Sequence, residues 1–288
     1  MSLYRNTVWF FKGLKEFTKN GFLSASKMFK EDDLEVDCSG RHYMITGANS
    51  GIGKCIATEI AKRGGTVHMV CRNPSSAEEA KQDIIDASNN SVNNAGCMFN
   101  IRELTEDNLE KNFVTNTLGT YILTTQLLPL IKQSEKPRVV TVSSGGMLVQ
   151  KLDYTDMQFE KMKPFDGTLA YAQNKRQQVV MTEQYAKQHP EVYFSCMHPG
   201  WADTPSVCTS MPDFYSKLKD KLRTPDEGAD TAVWLAVSPA AVQHPAGLFF
   251  QDRNPAPTHL PLASTKVTTK EKEEFMTALE ELSKKFAG

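Results

Sequence analysis

Thr46-Gly47-Ala48-Asn49-Ser50-Gly51-Ile52-Gly53 follows directly on the short apolar run Tyr43-Met44-Ile45. Its glycines give the pattern G-x-x-x-G-x-G at a strand-to-helix junction. Gly47 suits a tight turn out of the strand, Gly51 lets backbone N–H groups approach phosphates, and Gly53 lets the new helix pack closely on the sheet. The spacing departs from G-x-G-x-x-G. Taken alone, the stretch fits a plain structural turn as well as a nucleotide site.

Outward from this turn, Arg41 to Thr46 reads as a strand. Gly51 to Arg63 reads as a helix with Ile52, Ile56 and Ile60 on one face, stopped by Gly64-Gly65. Thr66 to Cys71 reads as a second strand, which makes a β-α-β unit of about 30 residues. Thr105, with Glu106 and Asp107 in the first turn, is expected to cap a long helix running towards Ile131, with Pro129 near its end. Arg138 to Val142 reads as an apolar strand ending in Ser143-Ser144, Thr168 to Gln188 as a helix, and Val192 to Met197 as a strand broken by His198-Pro199-Gly200. Thr224-Pro225-Asp226-Glu227 is a complete helix start. Gly247 to Phe250 is a candidate last strand, residues 254–266 a linker, and Thr268 with Glu271 the opening of a final helix. Strands alternating with helices predict an α/β fold with a doubly wound, mainly parallel sheet.

The bulk numbers exclude other classes. Hydrophobic residues make up 40% and charged residues 23%, as in a packed globular chain. A net charge of -1 gives no electrostatic case for nucleic acid. The six cysteines, Cys38, Cys55, Cys71, Cys97, Cys196 and Cys208, form no C-x-x-C and read as reduced thiols in a cytosol-like compartment. The histidines show no metal-ligand spacing. No apolar run reaches the ~18 residues that span a bilayer. Residues 1–38 are expected to form an amphipathic helical extension. Within 1–30, six cations face the single acid Glu16 among Trp9, Phe10, Phe11, Leu14 and Phe17. This suits either a helix packed on the domain or an interfacial helix that touches a membrane surface or directs mitochondrial association.

Tyr171-Ala-Gln-Asn-Lys175 places a phenol and an ammonium on one helix face. A free phenol titrates near pH ~10, and a nearby cation favours the phenolate. A serine hydroxyl could hold a substrate oxygen beside it. Such a trio suits hydride transfer to a carbonyl, with tyrosine delivering the proton. Tyr215-Ser-Lys-Leu-Lys219 repeats the spacing, but only Tyr171 has Ser-Ser upstream and Pro-Gly downstream. The second pair therefore reads as a solvated helix pair.

TGANSGIG, NNAG at 93–96, NTLG at 116–119, VSS at 142–144, YAQNK and HPG occur in the order of the classical short-chain dehydrogenases/reductases, and the chain resembles that family over about residues 39–253. The resemblance implies a Rossmann-like sheet and a nicotinamide cofactor. Tyr171 would be the general acid/base, Lys175 would lower its pKa and hold the ribose, Ser144 would bind the carbonyl, and Asn116 would anchor a water leading from Lys175 to solvent. Gly47, Ser50, Gly51, Ile52 and Gly53 would line the pyrophosphate turn. Asn93, Ala95, Gly96, Pro199, Gly200 and Thr204 would complete the cofactor cleft. Cys71-Arg72-Asn73 has no acid for a ribose hydroxyl, and cationic Arg72 favours NADP(H) over NAD(H). The substrate would be a small alcohol, ketone or aldehyde. Met147, Leu148, Trp201 and Phe214 hint that it is lipophilic.

One spacing breaks the pattern. The family places helix, strand, helix and strand between strand two and NNAG, which needs roughly 45 residues. Only residues 73–92 are present. The sheet is thus expected to lack strands three and four of the usual seven, as exon skipping or a mis-assembled gene prediction would cause. Strand one would then lose a partner on one side, which leaves a catalytically silent chain as the alternative to a working oxidoreductase.

Overall fold

The computed structural model describes residues 2–88 and 97–286. Two helices lead the chain, α1 (Ser2–Glu16) and α2 (Lys19–Ser26). Strand β1 (His42–Thr46), helix α3 (Gly51–Lys62) and strand β2 (Thr66–Val70) then form the expected β-α-β unit, with β1 and β2 in parallel register from His42↔Thr66 to Thr46↔Val70. Helix α4 (Pro74–Ser88) follows and buries Ala80 and Ile84.

The long helix does not start at Thr105. Residues 104–110 form a turn closed by a bridge between Leu104 and Glu110, with Asn108 at φ 59°. The helix begins six residues later, at α5 (Lys111–Phe113), where the Glu110 carboxylate accepts from Phe113 N. Thr105 has the better capping side chain, yet its hydroxyl accepts from Leu109 N inside the turn. A π-helical turn over Val114–Leu118 carries the chain into α6 (Gly119–Ile131), with Pro129 in its last turn.

The second half lays down β3 (Arg138–Val142), α7 (Gly167–Gln188) and β4 (Tyr193–Met197). Short helices α8 (Pro205–Ser210) and α9 (Pro212–Leu218) lead to α10 (Pro225–Val237), and then β5 (Phe249–Gln251), β6 (Asn254–Pro255) and α11 (Thr269–Ser283). Both expected capping boxes are formed, Thr224 with Glu227 and Thr268 with Glu271. Side chains alternate across β4. Phe194 and Cys196 join the clusters under α7, whereas Met197 joins the cluster under α10. Helices therefore cover both faces, as in a doubly wound α/β fold. Residues 254–266 are no free linker, because Leu260, Ala263 and Thr265 are buried.

Among the described residues the strands fall into two sheets, β1-β2 and β3-β4-β5-β6, with β5-β6 antiparallel and the other pairs parallel. β1 and β3 share no ladder. α3 and α10 bridge the two sheets through one apolar cluster that includes Ile56, Ile60, Val67, Trp234, Leu235 and Phe250. The outer face of β1-β2 is bare: His42 and His68 are exposed, and Met44 and Val70 are each 42% exposed. Parallel sheets are ordinarily covered on both faces.

Candidate active site

The turn after β1 has the form a pyrophosphate site needs. Gly47 (φ 68°) and Gly51 (φ 54°) occupy the left-handed region that favours glycine. A Cβ on Gly51 would lie 3.2 Å from Thr204 Cγ2, so the turn and the segment after His198-Pro199-Gly200 meet there. Ser50 is the N-cap residue of α3, yet its side chain makes no capping bond. The first N–H groups of α3 are thus left for an anion. Ile52 packs against Gly228 of α10, and buried Gly53 lets α3 settle on the core. Asn93, Ala95 and Gly96 lie outside the described residues.

The C-terminal end of β3 is clamped to α7. The Ser143 hydroxyl donates to Lys175 O (2.9 Å), and Lys175 Nζ donates to Val142 O (2.8 Å). Ser144 Oγ accepts from Gly146 N (3.1 Å). A Cβ on Gly146 would sit 3.4 Å from Ser144 Oγ and 3.8 Å from Ala172 Cβ, which places the serine beside the Tyr171 turn of α7. Lys175 Nζ lies 5.3 Å from the centre of the Tyr171 ring.

Burial dominates the titration of this pair. It pushes the Tyr171 phenol up to about 12 and the Lys175 ammonium down to about 8. The expected lowering of the phenol by Lys175 is not what this arrangement produces: the ammonium is spent on Val142 O and on Gln178 Oε1 (3.0 Å). Asn116 also departs from its expected part. Gln178 Nε2 donates to Asn116 O (2.7 Å), so the Gln178 amide itself links Lys175 to Asn116. The Asn116 side chain donates to Cys97 O (2.9 Å) and contacts Asn174 Oδ1 (3.4 Å). The π-helical turn places Asn116 here, a distortion common at functional sites.

Several contributors were not legible in the sequence. Cys97 directly follows the NNAG motif, and its thiol lies close enough to Arg72, Tyr171 and Lys175 to interact electrostatically with all three. His198 Nδ1 accepts from Gly145 N (2.8 Å), one residue after Ser144, and burial holds the imidazole well below its usual pKa. From the N-terminal segment, Trp9 Nε1 donates to Gly145 O (2.7 Å) and Phe17 packs edge-on against His198. The Ser144 turn is therefore held by α1 as well as by the sheet. Only the histidine of HPG carried a signal; nothing in the local pattern marks Trp9.

Other expected residues have mainly structural contacts. Gly200 (φ 78°) makes room for Arg223, which is buried in an ion pair with Asp252 and whose Nη1 donates to Pro199 O (3.4 Å). Thr204 caps α8. Met147, Leu148 and Trp201 are buried in one cluster with Phe17, and Phe214 packs against it. Arg72 is exposed at the end of β2. Tyr215 and Lys219 lie in the short-helix region, where Asp203 raises the Tyr215 pKa.

A short chain dehydrogenase family model matches residues 41–92. Dehydrogenase/reductase SDR family member 12 of Bos taurus is 56% identical, over 99% of this chain and 100% of that protein. The chain belongs to the short-chain dehydrogenase/reductase family. Human retinol dehydrogenase 12 is 30% identical over 75% of this chain and 79% of its own length. A short chain dehydrogenase from Escherichia coli CFT073, solved with NADPH, superposes with a TM-score of 0.60 at 19% identity, over 78% of this chain and all of its own. The oxidoreductase class and the Rossmann-like fold follow. The bovine alignment spans 317 positions, 29 more than this chain has residues.

Proposed function

We propose that the chain is an NADP(H)-dependent oxidoreductase that interconverts an alcohol and a carbonyl on a small lipophilic substrate. The observation that carries this is the convergence of Ser144, Tyr171 and Lys175 where β3 ends against α7. The cofactor would rest on Gly47, Ser50, Gly51, Ile52 and Gly53, with Thr204 across the turn and Arg72 at its adenosine end, and would supply the hydride. Ser144 holds the substrate oxygen. Tyr171, protonated at neutral pH, delivers the proton. Lys175 stays mostly cationic below pH 8, which stabilises negative charge developing on the phenol oxygen. The lipophilic reading rests on the similarity to retinol dehydrogenase 12.

Arg72 is the basis for the cofactor choice. A charge-assisted contact to a 2′-phosphate contributes about 1.5–3 kcal/mol, or roughly 10–100-fold in affinity. Arg72→Asp is expected to cut the NADPH-over-NADH binding ratio by that factor in fluorescence titrations. An unchanged ratio would remove Arg72 from cofactor selection.

A second reading has its own observations. The bare face of β1-β2, the missing ladder between β1 and β3, and the 29 extra alignment positions support a chain shortened between Arg72 and Asn93. In this reading the polypeptide keeps its catalytic side chains but is silent. Failure to bind either NADPH or NADH would favour it.

We further propose that the outer side of α1 and α2 rests on an anionic membrane surface. Leu3 (80% exposed), Phe11 (66%) and Met28 (82%) face solvent among exposed Lys15, Lys19, Lys27 and Lys30. Lysines near such a surface contribute about 1 kcal/mol each, and exposed rings add apolar insertion. No described helix is long and apolar enough to cross a membrane. The surface reading takes precedence over mitochondrial targeting because Trp9 and Phe17 of this segment complete the fold. Cosedimentation should show at least ~10-fold stronger binding to phosphatidylserine-containing vesicles than to pure phosphatidylcholine, with loss in Phe11→Ser. Equal partition into both vesicle types would reject the idea.

A further inference from the structure

Arg176 follows Lys175 on α7. It is 2% exposed. Its Nε donates to Gln150 O (3.0 Å) and its Nη2 to Met147 O (2.9 Å), which uses two of the five guanidinium N–H groups. Among the described residues no carboxylate pairs with it. The nearby acid, Glu183, is engaged by Lys272. Burying a cation without a partner is costly, and here burial drags the guanidinium down to about 10.

This group borders a cavity of about 210 Å³ that is also lined by Lys266, Lys272, His259, Thr265 and Glu183. Thr265 is 1% exposed, and its hydroxyl has no hydrogen-bond partner. The lining thus holds three permanent cations against one carboxylate, together with an unspent buried hydroxyl. We infer that this cavity binds a small oxyanion of the phosphate class, through Arg176, Lys266 and Thr265. A guanidinium offers paired N–H donors matched to such an oxyanion, and Thr265 supplies a further donor. The volume is below that of a drug-sized pocket, so it takes a free ion or only the phosphoryl head of a larger molecule. The site is separate from the cofactor turn. It still communicates with the Ser144 region, because Arg176 holds the carbonyls of Met147 and Gln150 in the segment just after that serine.

The test is thermal unfolding of the full chain in inorganic phosphate against chloride at equal ionic strength. At about tenfold over its Kd, phosphate should raise Tm by about 3–6 °C. The shift should vanish in Lys266→Ala, shrink in Thr265→Val, and persist in Arg72→Ala, a change confined to the proposed cofactor end. Glycerol phosphate in place of phosphate separates the two sources: a larger shift assigns a phosphoryl head group, a smaller one the free ion. Equal Tm in phosphate and chloride would overturn the inference. So would a shift that survives both cavity substitutions, or one lost only in Arg72→Ala, which would place the anion at the cofactor turn. None of these readouts requires turnover, so failure here leaves the oxidoreductase reading standing, and the reverse also holds.

Discussion

If the chain is shortened between Arg72 and Asn93 as proposed, inserting roughly 30 residues there is expected to raise Tm by about 10–20 °C. The insertion length follows from the 29 surplus alignment positions, and the magnitude from the two open strand edges. β1 hydrogen-bonds only to β2, and β3 only to β4, among the described residues. A central strand of about five residues would pair with both. Counting a net contribution of about 1 kcal/mol for each of about five bonds, and 2–4 °C per kcal/mol at this chain length, gives roughly that range. Covering Met44 and Val70, now 42% exposed, adds to it. The restored chain should also bind NADPH more tightly, because the pyrophosphate turn rises directly from β1. Calorimetry and a cofactor titration on both chains check this. Equal Tm and equal affinity would show that the short chain is structurally complete and would end the silent-isoform reading.

Where local chemistry decides structure, the sequence was a good guide. The left-handed glycines of TGANSGIG and the capping boxes at Thr224 and Thr268 depend on side chains within a few positions of one another. The misreadings share a cause. Thr105 has the better intrinsic cap, but the Leu104–Glu110 bridge turns the chain and hands the helix start to Glu110. Residues 254–266 look like polar, proline-rich linker, yet Leu260 and Ala263 plug the apolar cluster beside Phe17. Trp9 reaches Gly145 across 136 positions, and no periodicity in an N-terminal helix encodes such a target. The pKa order within the active pair was equally hidden. Spacing shows that Lys175 can face Tyr171, but it does not show that Val142 O and Gln178 claim the ammonium.

Tyr171→Phe is expected to lower carbonyl reduction with NADPH by about 10²–10⁴-fold, the usual range for removing a general acid. Binding of NADPH should change little, since the lost hydroxyl makes no hydrogen bond among the described residues. The measurement is kcat/KM over a ketone and aldehyde panel, run in the restored chain as well as this one, so that a folding defect is not mistaken for lost chemistry. The pH profile carries the second half of the argument. Burial holds Tyr171 at about 12 and Lys175 at about 8. The phenol therefore stays protonated throughout the working range, and the group that changes state is Lys175. Below pH 8 its ammonium can stabilise the phenolate left after proton transfer; above it, that charge is lost. Reduction should accordingly decline as pH rises through about 8, not increase as it would if phenol ionisation were limiting. Lys175→Arg should move that decline to higher pH, because a guanidinium keeps its charge. Retention of turnover in Tyr171→Phe to within about threefold would exclude the phenol as the acid, since even weak general-acid contributions reach about 10²-fold.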